Sequence, residues 1–296
     1  MSNMFEIENL RIAFNTKRGE LKAVRGVTLS IAKGESVGIV GESGSGKTVM
    51  SRASMGLLRG RRVKRDGSVK LNGTELLTMT AKEIRELWGK QIAMVFQDPM
   101  TALNPVRRVG PQMAEALVKR MGMTKEAADA RVLELLALVR LPEPEKQVVK
   151  YPHQLSGGMR QRVALARLLA NGPEVLLMDE PLGALDAQTR LILQVELLRI
   201  WGETRSVAER KTAIFITHDI EEAVFLGDRV VVMSSHPGRV KADIAIDLPR
   251  PRREALRGDP RFGEFTERIW SLIREEARRA IGGTEAADHP QEETTA

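Results

Sequence analysis

The order of apolar and polar positions along the chain predicts strands and helices that alternate. Residues 7–14 and 21–31 alternate apolar and polar side chains, which is typical of strands with one buried face. Later runs are continuously apolar and of strand length, and each fits a strand buried on both faces. These runs are 36–40, 92–96, 175–179, 213–217 and 229–233. Alternation of such strands with helices favours an α/β fold with a largely parallel sheet.

Helical periodicity between these strands divides the chain further. Apolar residues spaced by 3.6 positions predict helices at 109–121 and 125–139, inside a helical insert at about 98–157. We expect residues 1–247 to form the main domain. Residues 248–281 then form an extension with one helix, and 282–296, which lack apolar side chains larger than alanine, form a disordered tail.

Composition narrows the classes of protein. Cysteine is absent from the 296 residues, which excludes disulfides, thiolate zinc sites and cysteine-ligated clusters. No apolar run approaches the roughly 18 residues of a spanning helix, and the first residues lack a signal-peptide pattern, so we expect a cytoplasmic protein. The net charge is +7, with the densest basic cluster at 59–65. Aromatic residues do not interleave with that cluster, which favours a solvated turn over a site for single-stranded nucleic acid.

A glycine-rich loop, GESGSGKT, follows the apolar run at 36–40 and precedes a predicted helix at 48–58. This context is that of a P-loop, whose backbone N–H groups surround phosphate oxygens at a helix N-terminus. Lys47 would reach the β- and γ-phosphates of ATP, and the Thr48 hydroxyl would hold Mg²⁺. The expected nucleotide-binding residues are Gly41, Glu42, Ser43, Gly44, Ser45, Gly46, Lys47 and Thr48.

Polar residues follow three other apolar runs, at the ends where parallel strands form ligand crevices. Asp179 and Glu180 end VLLMDE; Asp179 would contact the magnesium, and Glu180 would accept a proton from the attacking water. Gln97 and His218 follow the runs at 92–96 and 213–217, and we interpret them as contacts to the γ-phosphate or the water. The predicted catalytic residues are therefore Glu180, His218 and Gln97.

A second glycine-rich segment, LSGGMRQR at 155–162, has a serine and bare amides at the start of a predicted helix. The P-loop already encloses its nucleotide, so the second segment cannot serve the same nucleotide from the same side. We predict that it binds the γ-phosphate of a nucleotide held by another copy. Two chains would then face each other head to tail, with ATP between them.

Taken in order, GESGSGKT, Gln97, LSGGMRQR, VLLMDEP, LGALD and ITHD resemble the ATP-binding subunit of ABC transporters over about residues 4–280. The resemblance implies a P-loop NTPase fold with antiparallel N-terminal strands and an ATPase activity. It implies that Gln97 contacts magnesium and water, and that Asp186 lies at the dimer seam. It also implies adenine stacking by Phe14 and contact with ATP across the dimer by Ser156, Gly157 and Gly158. Gly183 departs from the serine or threonine usual at its position.

The resemblance also implies partners. These are a separate membrane permease docked on the helical insert, a second copy or a paralogous ATPase, and indirectly a solute-binding protein. The chain would sit at the cytoplasmic face of the inner (plasma) membrane as a peripheral importer subunit, without nucleic acid. The N-terminal half resembles dipeptide, oligopeptide and nickel importers. The C-terminal half resembles the nitrate, sulfonate and taurine group, with a boundary near 165–175.

We expect a nitrate-, sulfonate- or taurine-like cargo because the C-terminal half holds more residues distinctive of a subgroup. Peptide or nickel cargo is the alternative. A soluble ABC ATPase acting on nucleic acid is a rival that the positive charge favours, and an exporter subunit is a second rival.

Overall fold

The computed structural model describes residues 3–96, 103–170, 172–202, 206, 209–234 and 237–285, with the side chains of 277–285 left out. Two sheets form the framework. The larger sheet contains β3 (Ser36–Gly41), β6 (Ile92–Val95), β7 (Val175–Asp179), β8 (Thr212–Ile216), β9 (Arg229–Met233) and β10 (Val240–Ala245). Its strand order is β10-β9-β3-β8-β7-β6, and only the β10–β9 pairing is antiparallel among these strands. The predicted parallel sheet is present, while β10 was not predicted.

The smaller sheet is antiparallel and is built from the N-terminal part of the chain. Its strands are β1 (Asn3–Thr16), β2 (Gly19–Ala32), β4 (Val63–Leu71) and β5 (Thr74–Glu75). The order is β2-β1-β4-β5, so β1 pairs along much of its length with both β2 and β4. The alternating residues of β1 and β2 point one face into the core, as the sequence predicted.

The helices lie between these strands or after them. They are α1 (Lys47–Ser54), α2 (Ala81–Leu87), α3 (Val109–Met121), α4 (Lys125–Leu138), α5 (Pro144–Gln147), α6 (Gly157–Ala170), α7 (Ala187–Trp201), α8 (Ile220–Leu226) and α9 (Pro260–Glu285). Helix α1 ends earlier than the predicted residue 58 because Gly56 turns the chain at φ 64°. Helix α9 continues past the predicted boundary at 281, and residues 286–296 of the predicted tail lie outside the described residues.

The central strands separate two apolar cores. Side chains alternate across β3, so that Val37 and Ile39 pack toward the antiparallel sheet while Val40 packs toward α3, α4 and α6. β9 divides its side chains in the same way, with Val231 in one core and Val232 in the other. These buried strands read as continuous apolar runs because both faces are covered.

The segment after β10 returns to helix α8 and caps its C-terminus. The guanidinium of Arg252 is buried and donates to the carbonyls of Val224 at 3.0 Å, Phe225 at 3.0 Å and Gly227 at 2.6 Å. The last carbonyls of a helix have no partner within the helix, so a cation satisfies them well. Ile269 of α9 is fully buried and extends the core beyond this cap.

Within the part of the chain that the structure describes, no helix combines the length and the apolar character needed to cross a bilayer.

Candidate functional site

The candidate site lies at the C-terminal edge of the parallel strands. The P-loop leaves β3, Asp179 ends β7, and His218 follows β8. Because these strands are neighbours and run in the same direction, the three segments meet at one edge of the sheet. Strand β6 ends at the same edge, but Gln97, predicted after it, lies outside the described residues.

Two glycines of the P-loop are required by the local geometry. Gly41 has φ 155°, and an added Cβ would lie 2.6 Å from the carbonyl oxygen of Met233. Gly46 has φ 81°, and its Cβ would lie 2.6 Å from the carbonyl oxygen of Ala23. Any other residue would be strained and would displace the backbone of β9 or β2. The loop is therefore held tightly between both sheets, directly before α1 begins at Lys47.

The side chain of Lys47 folds back onto the loop that carries it. Its Nζ donates to the carbonyls of Gly41 at 2.8 Å and Glu42 at 2.7 Å, and to the Ser45 hydroxyl at 3.0 Å. Burial lowers the pKa of this ammonium, while Glu180 and Asp179 act in the opposite direction. The loop thus presents a buried cation whose donors are directed at oxygen acceptors.

A second oxygen cluster lies beside the lysine. The Thr48 hydroxyl donates to Asp179 Oδ1 at 3.2 Å, and Asp179 is completely buried. Its other oxygen, Oδ2, has no hydrogen-bond partner among the described residues. Burial is the largest cause that raises the pKa of Asp179. A buried carboxylate oxygen with a vacant lone pair is suited to a hard cation.

Glu180 and His218 face each other across the strand ends. His218 Nδ1 lies 3.4 Å from Glu180 Oε1. Glu180 has φ 48°, an unusual conformation for a residue other than glycine, and its amide donates to the carbonyl of Ile216 at 2.8 Å. Backbone strain of this kind is characteristic of functional sites.

The sequence reasoning missed a residue that holds this strained backbone. Gln161 of α6 donates from Nε2 to the carbonyl of Glu180 at 2.9 Å and accepts from the Ala184 amide at 2.8 Å. The amide side chain thus ties the loop 180–184 to helix α6. A glutamine between two arginines inside the LSGGMRQR segment is the signal that could have identified it, and the structure buries this side chain.

A pocket of about 720 Å³ is lined by residues of the P-loop and by Glu180 and His218. Its volume falls within the range usual for small-molecule sites. Phe14 also lines it, together with the P-loop, Glu180 and His218. Leu21 and Lys22 also line it and were not predicted. The structure therefore brings Phe14, the P-loop, Glu180 and His218 together.

The LSGGMRQR segment is not part of that pocket. Ser156 and Gly157 are exposed at the start of α6, and the Ser156 hydroxyl accepts from the Met159 amide at 3.2 Å. Asp186 is exposed and begins α7, where it accepts from the Thr189 amide at 2.9 Å. That hydrogen bond is the largest cause lowering the pKa of Asp186. Neither residue, nor Gly157 or Gly158, lines the P-loop pocket.

Comparison with known proteins agrees with this geometry. The ABC transporter family profile matches residues 24–183. OppD of Bacillus subtilis, an oligopeptide transport ATP-binding protein, is 43% identical over 234 residues, which are 79% of this chain and 64% of OppD. DppD of Haemophilus influenzae, a dipeptide transport ATP-binding protein, is 42% identical over 275 residues, 91% of this chain and 81% of DppD. The chain therefore spans less than two thirds of that OppD.

Solved structures show the same fold. The ATP-binding cassette MJ0796, in a dimeric post-hydrolysis state bound to ADP and Pi, superposes with a TM-score of 0.73 at 29% identity. The superposition covers 83% of this chain and all of that cassette. The predicted P-loop NTPase fold is confirmed.

The comparisons correct the expected cargo. The nitrate-, sulfonate- or taurine-like cargo is not supported, since these relatives are named for oligopeptide and dipeptide transport. The similarity to DppD covers 275 residues, 91% of this chain, and therefore runs across the supposed boundary near 165–175. The expectation rested on residues of the C-terminal half that are distinctive of one subgroup, whereas similarity over most of the chain favours the peptide group. With its P-loop pocket, strand-end carboxylates and matching profile, the chain belongs to the ABC transporter family as one of its ATPase cassettes.

Proposed function

We propose that this chain is the ATP-hydrolysing subunit of a peptide importer, and that it powers a separate membrane permease. The observation that carries the proposal is the pocket in which Lys47, Glu180 and His218 converge. It occurs in a chain that is 42–43% identical to oligopeptide and dipeptide transport ATP-binding proteins. Nickel cargo, grouped with peptide cargo in the alternative, is not named by these relatives.

Each residue of the pocket would have a different role in phosphoryl transfer. Lys47 would exchange its three loop acceptors for the β- and γ-phosphate oxygens of ATP. Glu180 would accept the proton of the attacking water. His218, 3.4 Å from Glu180, would hold the γ-phosphate and orient the carboxylate. Phe14 would stack on the adenine ring.

Magnesium fits the oxygen cluster next to Lys47. The Thr48 hydroxyl and the partnerless Asp179 Oδ2 supply the hard oxygen donors that this ion prefers, and Gln97 is a further proposed ligand. No group of three or more His, Cys, Asp or Glu side chains able to hold a metal ion occurs in the described ranges, as suits an ion held largely by phosphates and water. When bound, magnesium would neutralise charge that develops on the phosphate oxygens.

The exposed LSGGMRQR segment supports a composite site. Ser156, Gly157 and Gly158 stand outside the pocket of their own chain, and Ser156 and Gly157 are exposed at the start of α6. We propose that they contact the γ-phosphate of ATP held by a second cassette, and that Asp186 lies at the seam. The dimeric assembly of MJ0796, bound to ADP and Pi, supports this arrangement.

The permease and an external peptide-binding protein are the remaining proposed partners. Docking on the helical region of about 98–157 would place this chain at the cytoplasmic face of the membrane. ATP binding would then close the cassette dimer, and hydrolysis would open it again. These movements would be passed on to the docked permease.

The test is transport-coupled ATP hydrolysis by the native assembly. The tagged chain is purified with its membrane partners from detergent extracts and reconstituted in liposomes with the cognate binding protein. We expect oligopeptides to raise the rate of phosphate release several-fold, while taurine and nitrate leave it unchanged. Stimulation by taurine or nitrate instead of peptides would refute the peptide assignment, and stimulation by DNA or RNA alone would refute the importer assignment.

A further inference from the structure

A single arginine of α7 contacts both loops that flank the candidate catalytic pair. Arg190 NH1 lies 3.4 Å from Asp219 Oδ2, next to His218 in the chain. Its NH2 donates to the carbonyl of Leu185 at 3.2 Å, next to Asp186. One guanidinium therefore joins the loop that bears the proposed seam residue to the loop that bears His218.

Hydrogen bonds hold the His218 loop on both sides of the histidine. Thr217, on one side of His218, donates its hydroxyl to Glu222 Oε2 at 2.7 Å and its amide to the Ile39 carbonyl at 3.2 Å. Asp219, on the other side, accepts from the Glu222 amide at 3.0 Å and donates its own amide to the Thr217 hydroxyl at 3.1 Å. The backbone of His218 is thus fixed at both neighbours, and Asp219 is the neighbour that reaches α7.

We infer that Arg190 is a positioning residue, through which engagement of the Asp186 loop by a second cassette fixes His218 against Glu180. The inference rests on the proposed function, because it assigns the link to the composite ATP site. Arg190 itself lies outside the P-loop pocket and touches no proposed substrate position. Its contribution is the relative placement of two loops.

A purely structural role for Arg190 explains the contacts less well. Helices α7 and α8 are already joined by Arg257, which bonds Glu221 of α8 at 3.0 Å and Gln194 of α7. The Arg190–Asp219 pair is partly exposed, with side-chain accessibilities of 28% and 31%, and ion pairs that solvent reaches contribute little to stability. Loss of Arg190 should therefore alter the geometry at His218 more than it alters folding.

The test is a double-mutant cycle on the full-length chain, with Arg190→Ala, Asp219→Asn and the double variant. Asparagine caps α8 as well as aspartate does, so Asp219→Asn removes the charge and keeps the cap. We expect each single variant to lower kcat by roughly 10- to 100-fold, with the KM and the affinity for a fluorescent ATP analogue changed less than about twofold. The double variant should be no slower than the slower single variant. Arg190→Lys should recover part of kcat.

The matched control is Arg199→Ala, which removes an exposed arginine of α7 whose ion pair, among the described residues, is with Glu196 of the same helix. It should leave kcat unchanged. The inference is overturned if Arg190→Ala stays within twofold of the parent kcat, or if the two single effects multiply in the double variant. Failure of the proposed function would be distinct, because the unmodified chain itself would then release no phosphate from ATP.

Discussion

At the scale of single residues, the site is prepared for an anion before one arrives. Lys47 directs its donors at three loop oxygens, and only the protonated amine has the three N–H groups that these hydrogen bonds require. Burial opposes the charge and the nearby carboxylates favour it. A phosphate entering the loop replaces neutral acceptors with charged oxygens, so the hydrogen bonds of the ammonium become ion pairs, whose attraction is stronger at a buried site than in water.

Glu180→Gln tests the proposed general base at this scale. Glutamine keeps the size of the side chain and removes the ability to take a proton, so the rate of phosphate release should fall roughly 100- to 10,000-fold. ATP binding should persist, because Lys47 and the P-loop are unchanged. Light scattering with ATP should then show a stable dimer, since hydrolysis no longer separates the two cassettes.

The control for this variant is Glu254→Gln, an exposed glutamate in the turn at Glu254–Gly258. It should hydrolyse ATP at the parent rate. A Glu180→Gln chain that stays monomeric with saturating ATP, or that keeps more than about a tenth of the parent rate, would contradict the assignment of the base.

At the scale of elements, helix α8 joins the site to a buried carboxyl group. Glu222 lies in its first turn, and burial raises the pKa of this side chain to about 7. Its Oε1 has no hydrogen-bond partner among the described residues, which is costly for an ionised group. The free-energy cost is absent below the unfolded pKa of 4.5, grows as the pH rises to about 7 and is constant above that value.

Glu222→Gln should therefore stabilise the protein more as the pH rises. A pKa displaced from 4.5 to about 7 corresponds to roughly 3 kcal/mol, or several degrees in melting temperature. Thermal melts of the unmodified protein and of Glu222→Gln at pH 5, 6, 7 and 8 measure the difference in melting temperature. The contributions of the other titrating groups cancel in this difference. A difference in melting temperature that stays level between pH 5 and pH 8 would show that Glu222 does not titrate in this way.

The elements also show what the sequence could predict. The bounds of α3 and of the central strands follow from local periodicity, and the structure reproduces them. β10 was missed because it is an edge strand whose residues are mostly half-exposed. The burial of Arg252 and Glu222 depends on partners distant in sequence or on the packing of several helices, which no local pattern contains. The early end of α1 could have been predicted from the sequence, because a glycine such as Gly56 favours the left-handed turn that ends a helix.

At the scale of the whole molecule, the motifs divide into two groups on one chain. The P-loop, Glu180 and His218 line a common pocket, whereas Ser156 and Asp186 are exposed elsewhere. The order of the motifs in the sequence predicted both groups, but the cargo could not be predicted in the same way. In the proposed importer the partner proteins would recognise the cargo, so this chain would indicate its cargo only through overall similarity to its relatives.

Ser156→Arg tests whether the second group acts across two molecules. Arginine at this exposed position should leave ATP binding by the single chain unchanged, because the P-loop pocket does not include it. The larger arginine side chain should keep the segment away from the γ-phosphate of ATP held by the partner cassette. The rate of phosphate release should therefore fall roughly 100-fold. Equilibrium binding of a fluorescent ATP analogue and steady-state phosphate release provide the two measurements.

Ser271→Arg, at an exposed position of α9, is the matched control and should retain the parent rate. Mixing Ser156→Arg with a Lys47→Ala chain supplies one dimer arrangement with an intact composite site, so part of the activity should return. A Ser156→Arg chain with an unchanged rate would mean that LSGGMRQR does not act in trans.

The cap that Arg252 places on α8 has a consequence for biosynthesis. A ribosome makes the P-loop and the LSGGMRQR segment well before it reaches residue 252. A nascent chain therefore carries these motifs while the carbonyls of Val224 and Phe225 still lack the guanidinium of Arg252. Helix α8 therefore receives its C-terminal cap only after residue 252 has been added to the chain. The full stability of α8, the helix that follows His218, would therefore be reached only after every motif of the candidate ATP site has been made.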